Sequence, residues 1–280
     1  MRSKRNRSAP KDFHQNMLPQ TRKALFFDVL KLQWSKLLSL GFILLVSALP
    51  LLGLWIYQDI NMIYLADQAD VPPEQIIGEM VALQNTNALL SIPAILLLFV
   101  GLSAIMRPLR QLAWGENLVL SYDLGVGLKQ NFRYGILCGL IMAVAYASAK
   151  IGWTTATIAT STFSFLFSLP MCLLFLLLPI FGYMLVTICV YVNRFTTNIK
   201  VAIVLYGKHP LQTLLMTVAT IAIPGIWWFI PHLYVHLFGG ILGIVLFPIG
   251  LFGWMLFTFN KLDEDINPKH FPDLVGKGIV

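Results

Sequence analysis

His232 and His236 stand four residues apart in PHLYVH and would share one face of a helix. Two imidazoles at that spacing bind zinc when a third ligand arrives. No carboxylate or cysteine lies near them in the sequence, so they read as interfacial histidines in a tight turn. Glu116 and Asp123 are the acidic residues of the stretch RPLRQLAWGENLVLSYDLGVGLKQNFR, Arg107 to Arg133. Two carboxylates meeting in a cleft could do acid–base work. The expected roles are structural: Glu116 pairing with Arg110 or Arg107, and Asp123 capping a helix that starts near Ser121. Asp263, Glu264 and Asp265 follow the last apolar run and are expected to be solvated. Cys138, Cys172 and Cys189 all lie inside apolar runs without a CxxC, and are expected to be small buried apolar residues.

The sequence contains no GxSxG, Walker loop, HExxH or GxGxxG. The expectation is therefore a non-enzymatic chain with no catalytic residue, cofactor or metal. No Asp or Glu falls well inside an apolar run, which argues against an ion-coupled carrier.

The elements that position these residues are membrane spans. Of 280 residues, 57% are hydrophobic and 12% charged, with mean hydropathy +0.73. A soluble domain carries about 25% charged residues. Spanning a bilayer takes about 20 apolar residues. Six runs qualify: Leu37 to Tyr57, Ala88 to Met106, Tyr134 to about Trp153, Phe163 to Tyr191, Leu211 to Ile230 and Leu233 to Phe259. The expected fold is all-α, a polytopic bundle of about six transmembrane helices with interfacial amphipathic helices. Residues 1–20 read as a disordered basic cytoplasmic arm, 21–260 as the six-helix membrane domain and 261–280 as a cytoplasmic tail.

The net charge of +7 would suggest nucleic acid in a soluble protein. Here the positions of the cations matter more, and no nucleic-acid partner is expected. With six spans, 19 of the 20 Lys and Arg residues fall on one side. The first connector on the other side holds Asp59, Asp67, Asp70, Glu74 and Glu79 without a basic residue. The positive-inside rule then places both termini in the cytoplasm.

Lys150 is the exception. Its two readings are a lysine snorkelling to the outer headgroups beside Trp153, and a buried cation lining an anion pathway. Residues Ala24 to Ser39 read as an interfacial helix leading into the first span, with Trp34 at headgroup depth. In the second connector Leu120, Leu124, Leu128 and Phe132 form one helical stripe, with Lys129 and Arg133 a turn apart on another face. The fourth connector, NRFTTNIKVAIVLYGKHP, has the same amphipathic and basic character. Arg107, Arg110, Lys129, Arg133, Arg194 and Lys200 are thus candidate contacts for anionic lipid or a protein partner.

The chain resembles the YesL-like family of bacterial membrane proteins. The resemblance is carried by LFFDVLKLQWSKLLSLGFILLVSALPLLGL, by the Arg107 to Arg133 stretch with Lys129, Asn131 and Phe132, and by DEDINPKHFPDLVGKG. Trp114 stands where that family has a basic residue, Tyr122 is inserted between Ser121 and Asp123, and Leu124 replaces a Phe. The resemblance implies a multi-pass protein of the bacterial cell membrane, an accessory or assembly partner of a membrane complex linked to carbohydrate uptake. The alternative is a passive channel or uniporter for a small solute, with Lys150 and the threonines of the fifth span on its path.

Overall fold

A computed structural model describes residues 19–68, 70–158, 164–191, 193–225 and 233–279. The arm expected over 1–20 lies almost wholly outside them, as does His232. Among the described residues all regular structure is helical. The helices are α1 (Arg22–Ala66), α2 (Pro73–Trp114), α3 (Leu120–Ile158), α4 (Leu169–Val190), α5 (Phe195–Lys208), α6 (Pro210–Gly225), α7 (Leu233–Asp265) and a single turn, α8 (Asn267–His270). Short 3-10 turns stand at Ser164–Ser168 and Pro272–Leu274.

Five of these are long and apolar enough to cross a membrane: α1, α2, α3, α4 with the turn before it, and α7. The fifth expected span is represented by α6, which is apolar but only 16 residues long; residues 226–230 fall outside the described part.

Several boundaries differ from those read in the sequence. The acidic connector expected after Tyr57 is mostly helix, because α1 and α2 run on until a short turn joins Ala66 to Pro73. Hydropathy marks where a helix leaves the hydrocarbon, not where it ends. Pro170, inside the fourth span as expected, sits in the first turn of α4, where its missing N–H costs nothing. Gly115 ends α2 with φ of 67°. Glu116 N–H then donates to the Gln111 carbonyl at 2.9 Å and Gly115 N–H to that of Leu112 at 3.4 Å. This is a Schellman stop, which needs the left-handed residue that glycine supplies.

α1 begins on Thr21, whose hydroxyl accepts from Ala24 N–H at 3.1 Å. It breaks at Gln33, with φ −131° and ψ 20°. The break separates the interfacial turns from the spanning part. Leu25 and Val29 are buried while Asp28, Lys31 and Trp34 are exposed.

Packing relies on small residues. The face α3 turns to α2 carries Gly127, Asn131, Gly135 and Gly139, one every fourth residue. A Cβ on Gly127 would stand 2.6 Å from the Ala104 carbonyl oxygen, one on Gly135 2.7 Å from Ser103 Oγ, and one on Gly139 2.8 Å from Phe99 Cβ. Asn131 donates to the Ser103 carbonyl at 3.2 Å. Phe132 and Leu128, from the apolar stripe, are exposed. In lipid, apolar side chains gain nothing by facing inward, so small and hydrogen-bonding residues mark the helix contact. Elsewhere Gly41 lies against the backbone of Val245 and Gly101 against Ser47.

Candidate functional site

The basic end of the bundle is tied by its own ions. Arg22, at the start of α1, places Nη2 2.7 Å from Asp263 Oδ2 near the end of α7. Its Nη1 donates to the Lys277 carbonyl at 2.7 Å. Asp263 also accepts from Asn267 Nδ2 at 2.7 Å and from Gly276 N–H at 3.3 Å. Tyr191 donates to Asn267 and stacks on Phe271 with ring centroids 4.6 Å apart. The expected tail is therefore folded back. Its end lies on α2, with Gly278 against the Ala113 carbonyl and Lys277 Nζ 3.7 Å over the Trp114 ring. Trp114 receives a second cation: Arg110 stacks on the same ring at 4.6 Å.

This arrangement corrects two expectations. Glu116 meets Lys277 at 3.4 Å, not Arg107 or Arg110, because the tail reaches it. The acidic run that ends α7 is not solvated as a unit. Asp263 is bound as described, Asp265 meets Lys208 at 2.5 Å and His209 Nε2 at 2.9 Å, and Glu264 meets Lys261 at 2.8 Å. Hydrogen bonds from Lys208 and then His209 hold the Asp265 carboxyl below the usual carboxylate range.

Asp123 is 2% exposed and does act as a cap. Its Oδ2 accepts from Val119 N–H at 2.9 Å and its Oδ1 from Gln111 Nε2 at 2.8 Å. Arg107 Nε lies farther off, at 3.5 Å, and its Nη1 donates to Gln130 at 2.9 Å. α3 starts at Leu120, one residue before the expected Ser121.

The six candidate contact residues divide into two groups. Arg107 and Arg110 turn inward, Arg110 donating to the Cys189 carbonyl that the end of α4 leaves open. Lys129, Arg133, Arg194 and Lys200 are exposed. Lys129 and Arg133 lie in the N-terminal part of α3, Arg194 is the N-cap of α5 and Lys200 lies within it, on the two amphipathic elements read from the connectors.

Lys150 lines a small cleft, about 10 Å³, together with Trp55, Gln58, Asn87, Ser91 and Tyr146. It faces the bundle, whereas Trp153 one turn on is exposed. Asn87 Nδ2 donates to the Leu54 carbonyl at 3.1 Å and approaches Gln58 Oε1 at 3.4 Å. The cleft does not continue along α3. Between Asn131 and Ala147 the buried positions of that helix are Gly135, Cys138, Gly139, Met142 and Ala143.

Among the described residues no group of three His, Cys, Asp or Glu side chains could hold a metal ion. Cys138 and Cys189 are buried, but Cys172 is exposed on α4, contrary to expectation. An apolar run in lipid has an outward face as well as an inward one.

Residues with no signal in the sequence reading include Arg22 with Asp263, the Trp114 cation platform, and Tyr183, whose hydroxyl lies 2.8 Å from Thr213 Oγ1. Arg22 with Asp263, Lys277 with Trp114 and Tyr183 with Thr213 are pairings between separate elements that spacing along the chain does not reveal, whereas Arg110 with Trp114 is an i, i+4 pair within α2. Comparison with family models, curated proteins and solved structures gives no match.

Proposed function

We propose that the chain is a non-enzymatic bacterial cell-membrane protein with six spans and both termini in the cytoplasm. It acts as an accessory or assembly partner of a larger membrane complex, and its resemblance to YesL-like proteins supports a link with carbohydrate uptake. One observation carries this reading. The basic end is braced internally by Arg22, Asp263 and the folded tail, yet leaves Lys129, Arg133, Arg194 and Lys200 outward. A braced surface with free cations suits anionic headgroups or an acidic protein face. The charge asymmetry of the connectors supports the orientation.

Affinity purification in mild detergent tests it. A specific membrane protein should co-purify with the wild-type chain and be lost from a variant with all four cations changed to Glu. A chain that isolates alone in both forms overturns the reading. Cysteine labelling at Arg194 from outside intact cells would overturn the orientation.

The passive-channel reading has one observation in its favour, the inward Lys150 beside Asn87 and Gln58. The apolar layer at Cys138, Met142 and Ala143 stands against it, since a solute would lose its hydration there. Flux through liposomes of the pure protein separates the two.

A further inference from the structure

The end of the bundle away from the Arg22–Asp263 tie carries a helical hairpin, made by the last turns of α1 and the first turns of α2. α1 continues through residues 58–66 past the apolar run that ends at Tyr57, and α2 starts at Pro73, well before the run that begins at Ala88. At about 1.5 Å per residue these extensions are roughly 13 and 22 Å long, more than the roughly 5–8 Å of headgroups that borders the hydrocarbon. α3 accompanies them only part of the way, with Thr154 Oγ1 donating to Gln84 Oε1 at 2.8 Å. Between Leu52 and Asn87 no described residue is buried.

The hairpin combines an apolar stripe with unmatched acid. Ile60, Ile63 and Tyr64 recur at helical spacing on α1 and are 50%, 51% and 65% exposed, and Ile77 is 52% exposed on α2. Hydrocarbon cannot cover them, because Asp67, Asp70, Glu74 and Glu79 stand exposed along the same segment. No Lys or Arg lies between Lys36 and Arg107. The other connectors at that end, residues 154–168 and 226–236, hold none either, and Lys150 is turned into its cleft between α1, α2 and α3. The chain thus has no cation of its own with which to cover this surface. Acidic residues contribute little to orientation, so topology does not account for them.

We infer that the tip of this hairpin is the docking surface for a separate protein that presents an apolar patch ringed by Lys and Arg. An exposed apolar stripe with a charged rim has the anatomy of a protein interface. The sign of the rim selects the occupant: it attracts a basic surface, and it repels anionic lipid and a second copy of this chain. The inference rests on the assembly reading above and adds a second contact face to it, at the end away from Lys129 and Arg194.

Site-specific photocrosslinking in the native host cell tests it, with benzoylphenylalanine placed in the full-length chain at Tyr64 or at Ile77. Each position should give an adduct with a second polypeptide, and the peptide joined to the probe should carry Lys or Arg beside apolar residues. The same probe at Val46, exposed on the spanning part of α1, should give none. Combining Asp67→Lys, Asp70→Lys and Glu74→Lys should lower the adduct yield at least about tenfold, since like charges then face each other. Changing the basic residues of the captured peptide to Glu should restore it. All three reversed positions are exposed, so the melting temperature in detergent should not move. An adduct that survives the triple reversal, one formed only with lipid or with a second copy, or no adduct at all overturns the inference. A triple-reversal chain that still co-purifies the partner lost from the four-cation variant overturns the docking surface while leaving the assembly reading in place.

Discussion

Arg22 and Asp263 stand 241 residues apart in the chain and meet at 2.7 Å, joining the first turn of α1 to the last turns of α7. Their side chains are 10% and 16% exposed, so water screens the pair only in part. Asp263 serves the tail as well, through Asn267 and Gly276.

Replacing Asp263 by Ala should therefore do two things. It should cost about 1.5–3 kcal/mol of stability, the range for a hydrogen bond to a charged group. It should also free the tail, which limited proteolysis after Asn267 would detect. Arg22→Ala should cost a similar amount, and the double variant less than the sum of the two. Additive losses, read from thermal unfolding in detergent, would show that the pair is not coupled.

Glycine substitutions should split by position. Gly41→Ala and Gly127→Ala drive a methyl into the backbone of a facing helix and should each cost at least about 1–3 kcal/mol. Gly53→Ala meets nothing within 4 Å and should stabilise α1 by up to about 1 kcal/mol through helix propensity alone. Thermal unfolding of the three variants side by side checks the contrast.

The Asp265 carboxylate predicts a pH dependence. Its folded pKa lies below the unfolded value, so its contribution is complete above about pH 4 and fades as pH falls through the folded value. Wild type should melt above Asp265→Asn at pH 7. The gap should shrink as pH is lowered toward 3. A gap that widens with acid would reverse the assignment.

Lys129, Arg133, Arg194 and Lys200 should enrich anionic lipid. Each cation near the surface contributes about 1 kcal/mol. Native mass spectrometry should show phosphatidylglycerol bound to the wild type and mostly lost from Lys129→Glu with Arg133→Glu. High salt should weaken this retention, and unchanged lipid stoichiometry would count against the basic face.

The sequence made the helices legible, because hydropathy measures what crosses lipid. The stop at Gly115 and the amphipathic α5 follow from turn chemistry and periodicity, whereas the break at Gln33 falls inside a stretch read as one interfacial helix. What stayed hidden was which face of each helix looks inward. The stripe through Leu128 and Phe132 is the more apolar one, yet it is the face through Gly127, Asn131 and Gly135 that packs. In water the apolar stripe would have pointed to the core; in a membrane that inference inverts. The candidate site was legible only in part for a second reason. Lys129 and Arg194 announce themselves by charge, whereas Lys277 is claimed by Trp114, a contact that exists only once the tail has returned.

That return has a bearing on biosynthesis. Because Asp263 leaves the ribosome long after Arg22, the bundle cannot close its ring until α7 has been made. A product truncated before this residue strands a cation at the mouth of the first helix and leaves α2 without its cover, an open seam by which a quality-control protease could distinguish unfinished chains from finished ones.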